Sequence, residues 1–103
     1  MTKLTAELLI KGYSLGVFPM AESRWSDAIQ WIDPRDRGII PIDGLHISRS
    51  LRKSLLKLKY EIRLNHDFAA TVRACADRDE TWINDTLYEA YCELHARGYA
   101  HSL

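Results

Sequence analysis

Residues 44–59, GLHISRSLRKSLLKLK, constrain the chain most. Ser48 is a good helix N-cap, because its hydroxyl can accept a hydrogen bond from a first-turn amide that has no partner inside the helix. Beyond it Leu51, Leu55 and Leu58 recur at i, i+4 and i+7 and draw one apolar stripe. Arg49, Arg52, Lys53 and Lys57 project from the other side. The stretch therefore reads as an amphipathic basic helix, with one face to bury and four cations on the other. No acidic residue interrupts those cations. Such a face either meets a polyanion or is a solvated surface that keeps the chain soluble, and the pattern alone leaves both open.

Charge elsewhere sharpens the contrast. Fourteen basic and fourteen acidic residues cancel over 103 residues. Residues 49–59 nevertheless hold five cations and no acid, while residues 77–93 are acid-rich. The chain lacks the global charge of a non-specific nucleic-acid binder and could hold a polyanion only by a local patch. With 47% hydrophobic and 27% charged residues it reads as globular, either one small domain or part of a larger one. The first apolar run, Leu8 to Ile10, is too short for a membrane span or signal peptide, and acidic Glu7 precedes it. Cys75 and Cys92 are too far apart for a CxxC motif and each falls in a predicted helix, so buried, reduced thiols are expected. Both features fit a cytoplasmic protein without membrane association. His46, His66, His95 and His101 lack zinc-ligand spacing with them, and no metal site is expected.

Taken in order, Thr5 can cap a first helix through Leu15, with Leu4, Leu8 and Leu15 near one face and Gly16 as the stop. Phe18, before Pro19, must be extended or in a turn. Residues 21–28, AESRWSDA, read as a polar loop in which Trp25 has no evident partner. Residues 30–34 look like a short strand ending in a turn, with Trp31 as a core residue. Ile39, Ile40 and Ile42 around Pro41 indicate an edge strand, since proline cannot donate to a ladder. Asp43-Gly44 is a turn, and a boundary is placed there. After the basic helix, Tyr60 to Leu64 alternates as a half-buried strand does. Asn65 or Asp67 can cap a helix whose inner face holds Phe68, Val72 and Cys75 or Ala76. Residues 77–80 form a charged loop. Asn84 caps a last helix with Leu87, Tyr91 and Leu94 on one side, ended by Gly98. A strand is expected from Tyr99 to Leu103. It needs a neighbour, and few strands precede it, so the pattern reads as cut rather than finished. The fold class is α+β.

Motifs for nucleophilic catalysis, phosphate loops and HExxH are absent from the sequence. The acidic cluster Asp77, Asp79 and Glu80 reads as a solvated loop. Trp82 is more informative. It sits between that loop and an N-cap, where its ring either faces outward to stack on a nucleobase or fills the core beneath the loop.

Several stretches carry a resemblance. GVFPMAE, QWIDPRDRGIIPIDGLHISRSLRK, TWIND and ELHARGYAHS, in this order and spacing, are similar to the bacterial leucyl/phenylalanyl-tRNA–protein transferases. The similarity runs from near residue 5 to the last residue. It implies transfer of leucine or phenylalanine from tRNA to the α-amino group of proteins beginning with arginine or lysine, which marks them for degradation by the N-end rule. It implies no cofactor and no metal. The implied fold is a small N-terminal domain, here residues 1–44, followed by the opening of a GNAT-like acyltransferase domain, here 45–103. The family's aminoacyl pocket and catalytic residues lie in a half with no counterpart here, so no catalytic residue is carried over, and the chain alone is expected to be inactive and prone to self-association. By resemblance, Trp82 matches the tryptophan that contacts the 3′-terminal adenosine. Met20 stands where some relatives place a second tryptophan near that adenosine. Arg49, Arg52, Lys53 and Lys57 match the segment that meets the tRNA acceptor stem. A stand-alone RNA-binding or structural module derived from the family is the alternative.

Overall fold

The computed structural model describes residues 3–57 and 60–103. Its first helix, α1 (Ala6–Ser14), begins as the sequence predicts, with Thr5 Oγ1 accepting from the Leu8 amide at 3.2 Å. It ends in a Schellman motif. Gly16 takes φ +83°, its N–H donates to the Tyr13 carbonyl, and the Val17 N–H donates to the Gly12 carbonyl. Strands β1 (Phe18–Ala21) and β2 (Ile29–Ile32) then form an antiparallel pair, with Phe18 opposite Ile32 and Ala21 opposite Ile29. Along β1 the side chains alternate. Pro19 and Ala21 are buried, while Phe18 and Met20 are half-buried on the other face.

Three helices follow: α2 (Arg49–Lys57), α3 (Phe68–Cys75) and α4 (Asp85–Ala96). Asp67, the second of the two expected caps, opens α3 by accepting from the Ala70 amide at 3.0 Å. Asn84 caps α4, accepting from Leu87 N–H at 2.8 Å. The end of α4 repeats that of α1, with Gly98 at φ +86° and the Gly98 and Tyr99 amides donating to the His95 and Leu94 carbonyls. The core lies where α1 crosses α4 under the sheet. Leu4, Ala6, Leu9 and Ala21 pack against Leu87, Ala90 and Leu94. The small alanines let the helix backbones approach, and the leucines fill the gaps between them. Arg97 ties the ends of the pair through ion pairs to Glu7 and Glu93.

Several expectations are corrected. The buried face of α1 is centred on Leu9, not on the line from Leu8 to Leu15, and Leu15 is exposed. Trp31 is only partly covered, with its ring lying over Gly12, where a Cβ would stand 3.1 Å from Cη2. Residues 39–42, 60–64 and 99–103 form no strands, and Ile39, Ile40, Ile42, Ile62 and Leu64 are exposed. Among the described residues the sheet has two strands, so these segments find no ladder to join. The last segment is instead tied to Asn65. The Asn65 N–H donates to the Ser102 carbonyl, and the Ser102 N–H donates to Asn65 Oδ1. Cys75 is exposed and Cys92 half-exposed, so the expected buried thiols are free but not buried.

Candidate nucleic-acid interface

Short side chains with hydroxyl and amide groups hold the segment between α3 and α4. Thr81 Oγ1 accepts from the Ile83 N–H at 3.2 Å. Besides capping α4, Asn84 uses its Nδ2 to donate to the Ser26 carbonyl at 2.8 Å. Trp82, between them, accepts on its carbonyl from the Ala21 N–H at 3.1 Å. The backbone of Trp82 is thus fixed to the end of β1, while the residue as a whole is 38% exposed. That value decides between the two readings of the ring, which is neither core nor free. It forms part of the wall of a cleft of about 450 Å³, lined also by Tyr13, Phe68, Val72, Tyr91 and Leu103. The volume falls in the range of small-molecule sites, and the lining is mainly apolar.

Polar groups border this cleft. The hydroxyls of Tyr13 and Tyr91 lie 2.5 Å apart, joining α1 to α4. Burial, with the Tyr13 hydroxyl as a lesser cause, pushes the Tyr91 phenol well above the ordinary tyrosine range. His95 donates through Nδ1 to the Ala100 carbonyl at 2.7 Å and stacks on Phe68 with centroids 4.3 Å apart. His101 stands edge-on to His95 and lies 2.9 Å through Nδ1 from Asn65 Nδ2. Sequence reasoning missed the tyrosine pair and the histidine stack. Their members lie far apart along the chain, and no short-range pattern marks such pairs.

The structure brings Met20 and Trp82 together at the level of the backbone, since Ala21, the residue after Met20, makes the bond to Trp82. Met20 is half-buried on the β1 face opposite Pro19. The four cations stand apart on α2. Ser48 caps that helix as predicted, accepting from Leu51 N–H at 3.1 Å. Arg49, Arg52, Lys53 and Lys57 are all exposed, and among the described residues none pairs with a carboxylate. The stripe opposite them does not bury itself as expected. No residue of α2 is buried, Leu51 and Leu55 are roughly half exposed, and Leu58 lies outside the described residues. Leu56, which sequence reasoning passed over, falls among the cations at helical spacing and is exposed.

Among the described residues no group of three or more His, Cys, Asp or Glu side chains could hold a metal ion. No helix among them is long and apolar enough to cross a membrane.

Comparison with known proteins places the chain in a family. Residues 39–103 match the family model described as leucyl/phenylalanyl-tRNA protein transferase, and residues 2–35 match the model of that protein's N-terminal domain. A leucyl/phenylalanyl-tRNA–protein transferase of Dinoroseobacter shibae is 55% identical over 101 residues, covering 98% of this chain and 45% of the relative. One from Cereibacter sphaeroides is 59% identical over 100 residues, covering 97% and 47%. One from Ruegeria pomeroyi is 46% identical over 100 residues, covering 97% and 48%. The chain spans about half the length of these relatives, and it belongs to the leucyl/phenylalanyl-tRNA–protein transferase family.

Proposed function

We propose that this chain supplies the part of an aminoacyltransferase that holds the acceptor end of aminoacyl-tRNA, in an enzyme that passes leucine or phenylalanine to proteins beginning with arginine or lysine. In that reaction the α-amine attacks the ester carbonyl. The bond to the ribose oxygen breaks, an amide forms, and the amine's proton leaves with the ribose hydroxyl. An ester needs little help with its leaving group, so holding the amine against the carbonyl supplies much of the rate. The holding part must grip phosphates and stack on the terminal base. One observation carries the reading. Trp82 has its backbone bonded to the end of β1 beside Met20, and its half-open indole stands at an apolar cleft. The cations of α2, which pair with no carboxylate among the described residues, provide the phosphate contacts.

The finer parts of the reading belong to the same proposal. These are a GNAT-like domain opening at residue 45 after a small domain of residues 1–44, a cytoplasmic setting, and a role in N-end rule degradation. The two parts share one core, with Leu9 and Ala21 of the first against Leu87 and Leu94 of the second. The exposed Leu51, Leu55, Leu56, Ile62 and Leu64 support self-association of the isolated chain, which sedimentation velocity over a concentration series would detect. A strictly monomeric chain at high concentration refutes that part.

The test of the main reading is binding to leucyl-tRNA across a salt series. Alanine at Arg49, Arg52, Lys53 and Lys57 should weaken binding and lower the salt slope by roughly 3 to 4, as about 0.9 is lost per phosphate contact. Trp82→Ala should keep the slope and cost about 1–3 kcal/mol of stacking. A fourfold variant with the wild-type slope, or a Trp82→Ala chain that unfolds, sinks the reading. In a transfer assay with an arginine-starting peptide, the chain alone should incorporate no labelled leucine.

A further inference from the structure

A second aromatic surface lies across the Trp82–Asn84 segment from the Trp82 cleft. Trp25 is 86% exposed, yet the loop that carries it is well tied. The Trp25 N–H donates to Ser23 Oγ at 3.3 Å, and the Ser26 N–H donates to the Ser23 carbonyl at 3.2 Å. The Ser26 carbonyl accepts from Asn84, and the Arg24 guanidinium donates to the carbonyls of Ala76 and Arg78 at the end of α3. Those bonds fix the backbone on either side of an indole that stays in water. Beside it opens a cleft of about 220 Å³, lined by Trp25, Arg24, Arg73, Ile83, Asn84 and Tyr88 among others. There the Arg73 guanidinium lies 3.7 Å over the Tyr88 ring and 3.5 Å from an Asp85 carboxylate oxygen. Ile83 borders both this cleft and that of Trp82, so the two are neighbours across one residue.

We propose that the Trp25 cleft is a second nucleotide subsite. It takes an unpaired RNA nucleotide adjacent to the one held at Trp82, and the base stacks on the Trp25 indole beside the Arg73–Tyr88 pair. The proposal rests on the reading of Trp82 given above. Every base has a π-face, so an indole held open by its loop accepts any of them, and a neighbouring guanidinium adds a second planar surface. Asp85 offsets part of the Arg73 charge, so stacking rather than phosphate attraction carries the binding. A peptide arginine is the poorer fit, because Arg73 already covers the Tyr88 face and repels a second guanidinium.

The experiment titrates the chain with two RNA hairpins, one with a short unpaired 3′ tail and one with a single unpaired 3′ adenosine. Trp25→Ala should weaken binding of the tailed hairpin about tenfold, within the range expected for one stacked base, with no change in salt slope. Trp25→Phe should retain most of that affinity, and the single-adenosine hairpin should bind Trp25→Ala as it binds the parent chain. Far-UV circular dichroism checks that both variants fold. If Trp82→Ala weakens the tailed hairpin and Trp25→Ala does not, the second subsite is refuted while the first stands. If neither hairpin binds, both subsites are refuted. Weakened binding of an arginine-starting peptide by Trp25→Ala, with RNA binding intact, makes the cleft a peptide site and overturns the proposal.

Discussion

Asn84 joins three parts of the molecule, and its removal should be felt in each. The side chain is 5% exposed, caps α4 through Oδ1 and holds the Ser26 carbonyl through Nδ2, both at 2.8 Å. Alanine removes both bonds. The lost cap costs about 1 kcal/mol. The lost bond to Ser26 costs about 1 kcal/mol more, toward the low end for an unpaired carbonyl because Ser26 is only half-buried. Asn84→Ala should therefore destabilise by about 2 kcal/mol. For a domain of this size that is a fall in Tm of about 8–16 °C. Asn84→Ser separates the two effects, since a serine hydroxyl can still cap the helix but is too short to reach Ser26. It should lose about 1 kcal/mol, or about 4–8 °C. Thermal unfolding followed by far-UV circular dichroism measures both. Asn84→Ser melting together with the parent chain would show that the Ser26 contact contributes nothing and that Asn84 does not tie the Trp25 loop.

Three further outcomes are expected. Tyr91 ionises in the unfolded chain near the ordinary value of 10.0 but keeps its proton in the folded chain, so stability should fall as pH rises above about 10; Tyr91→Phe should flatten that fall in alkaline urea titrations. Glu7 behaves in the opposite sense. Its hydrogen bond to Arg97 holds the carboxyl below the usual value of 4.5, so its contribution is present above that pH and lost as pH falls, and Glu7→Gln should reduce the acid-side decline in Tm. Gly12→Ala puts a methyl against the Trp31 ring, which is partly exposed and must shift outward to admit it. The gain of about 1 kcal/mol in helix propensity should offset most of the lost packing, leaving Tm nearly unchanged. The Trp31 emission, read in a Trp25→Phe, Trp82→Phe background, should shift to the red, and an unshifted spectrum would refute the close approach.

The elements that the sequence predicts correctly are those whose signals are local. Thr5, Ser48, Asp67 and Asn84 each cap a helix because a short polar side chain reaches an amide three residues on. Gly16 and Gly98 end helices because a positive φ suits a residue without a Cβ. Trp82 was also legible as a candidate, through its position between a charged loop and a cap. The failures share one cause. Alternation at 60–64 and isoleucines at 39–42 describe segments that would make good strands if a ladder were present, and whether one is present is decided elsewhere in the chain. The leucine stripe of α2 is equally sound as a pattern, yet none of its described members is buried.

Helix starts and stops, the clustering of the cations and, through resemblance, the family can all be read along the chain. Folding was needed to show that α1 buries Leu9 rather than Leu15, that the hydroxyls of Tyr13 and Tyr91 meet, and that Trp82 is fixed beside Met20 while Trp25 stands in water across Ile83. The difference is one of range. Capping and periodicity act over three or four residues and can be read along the chain. Burial and pairing depend on which surfaces the folded chain brings into contact, and residues 78 positions apart, such as Tyr13 and Tyr91, carry no mark of each other until it folds.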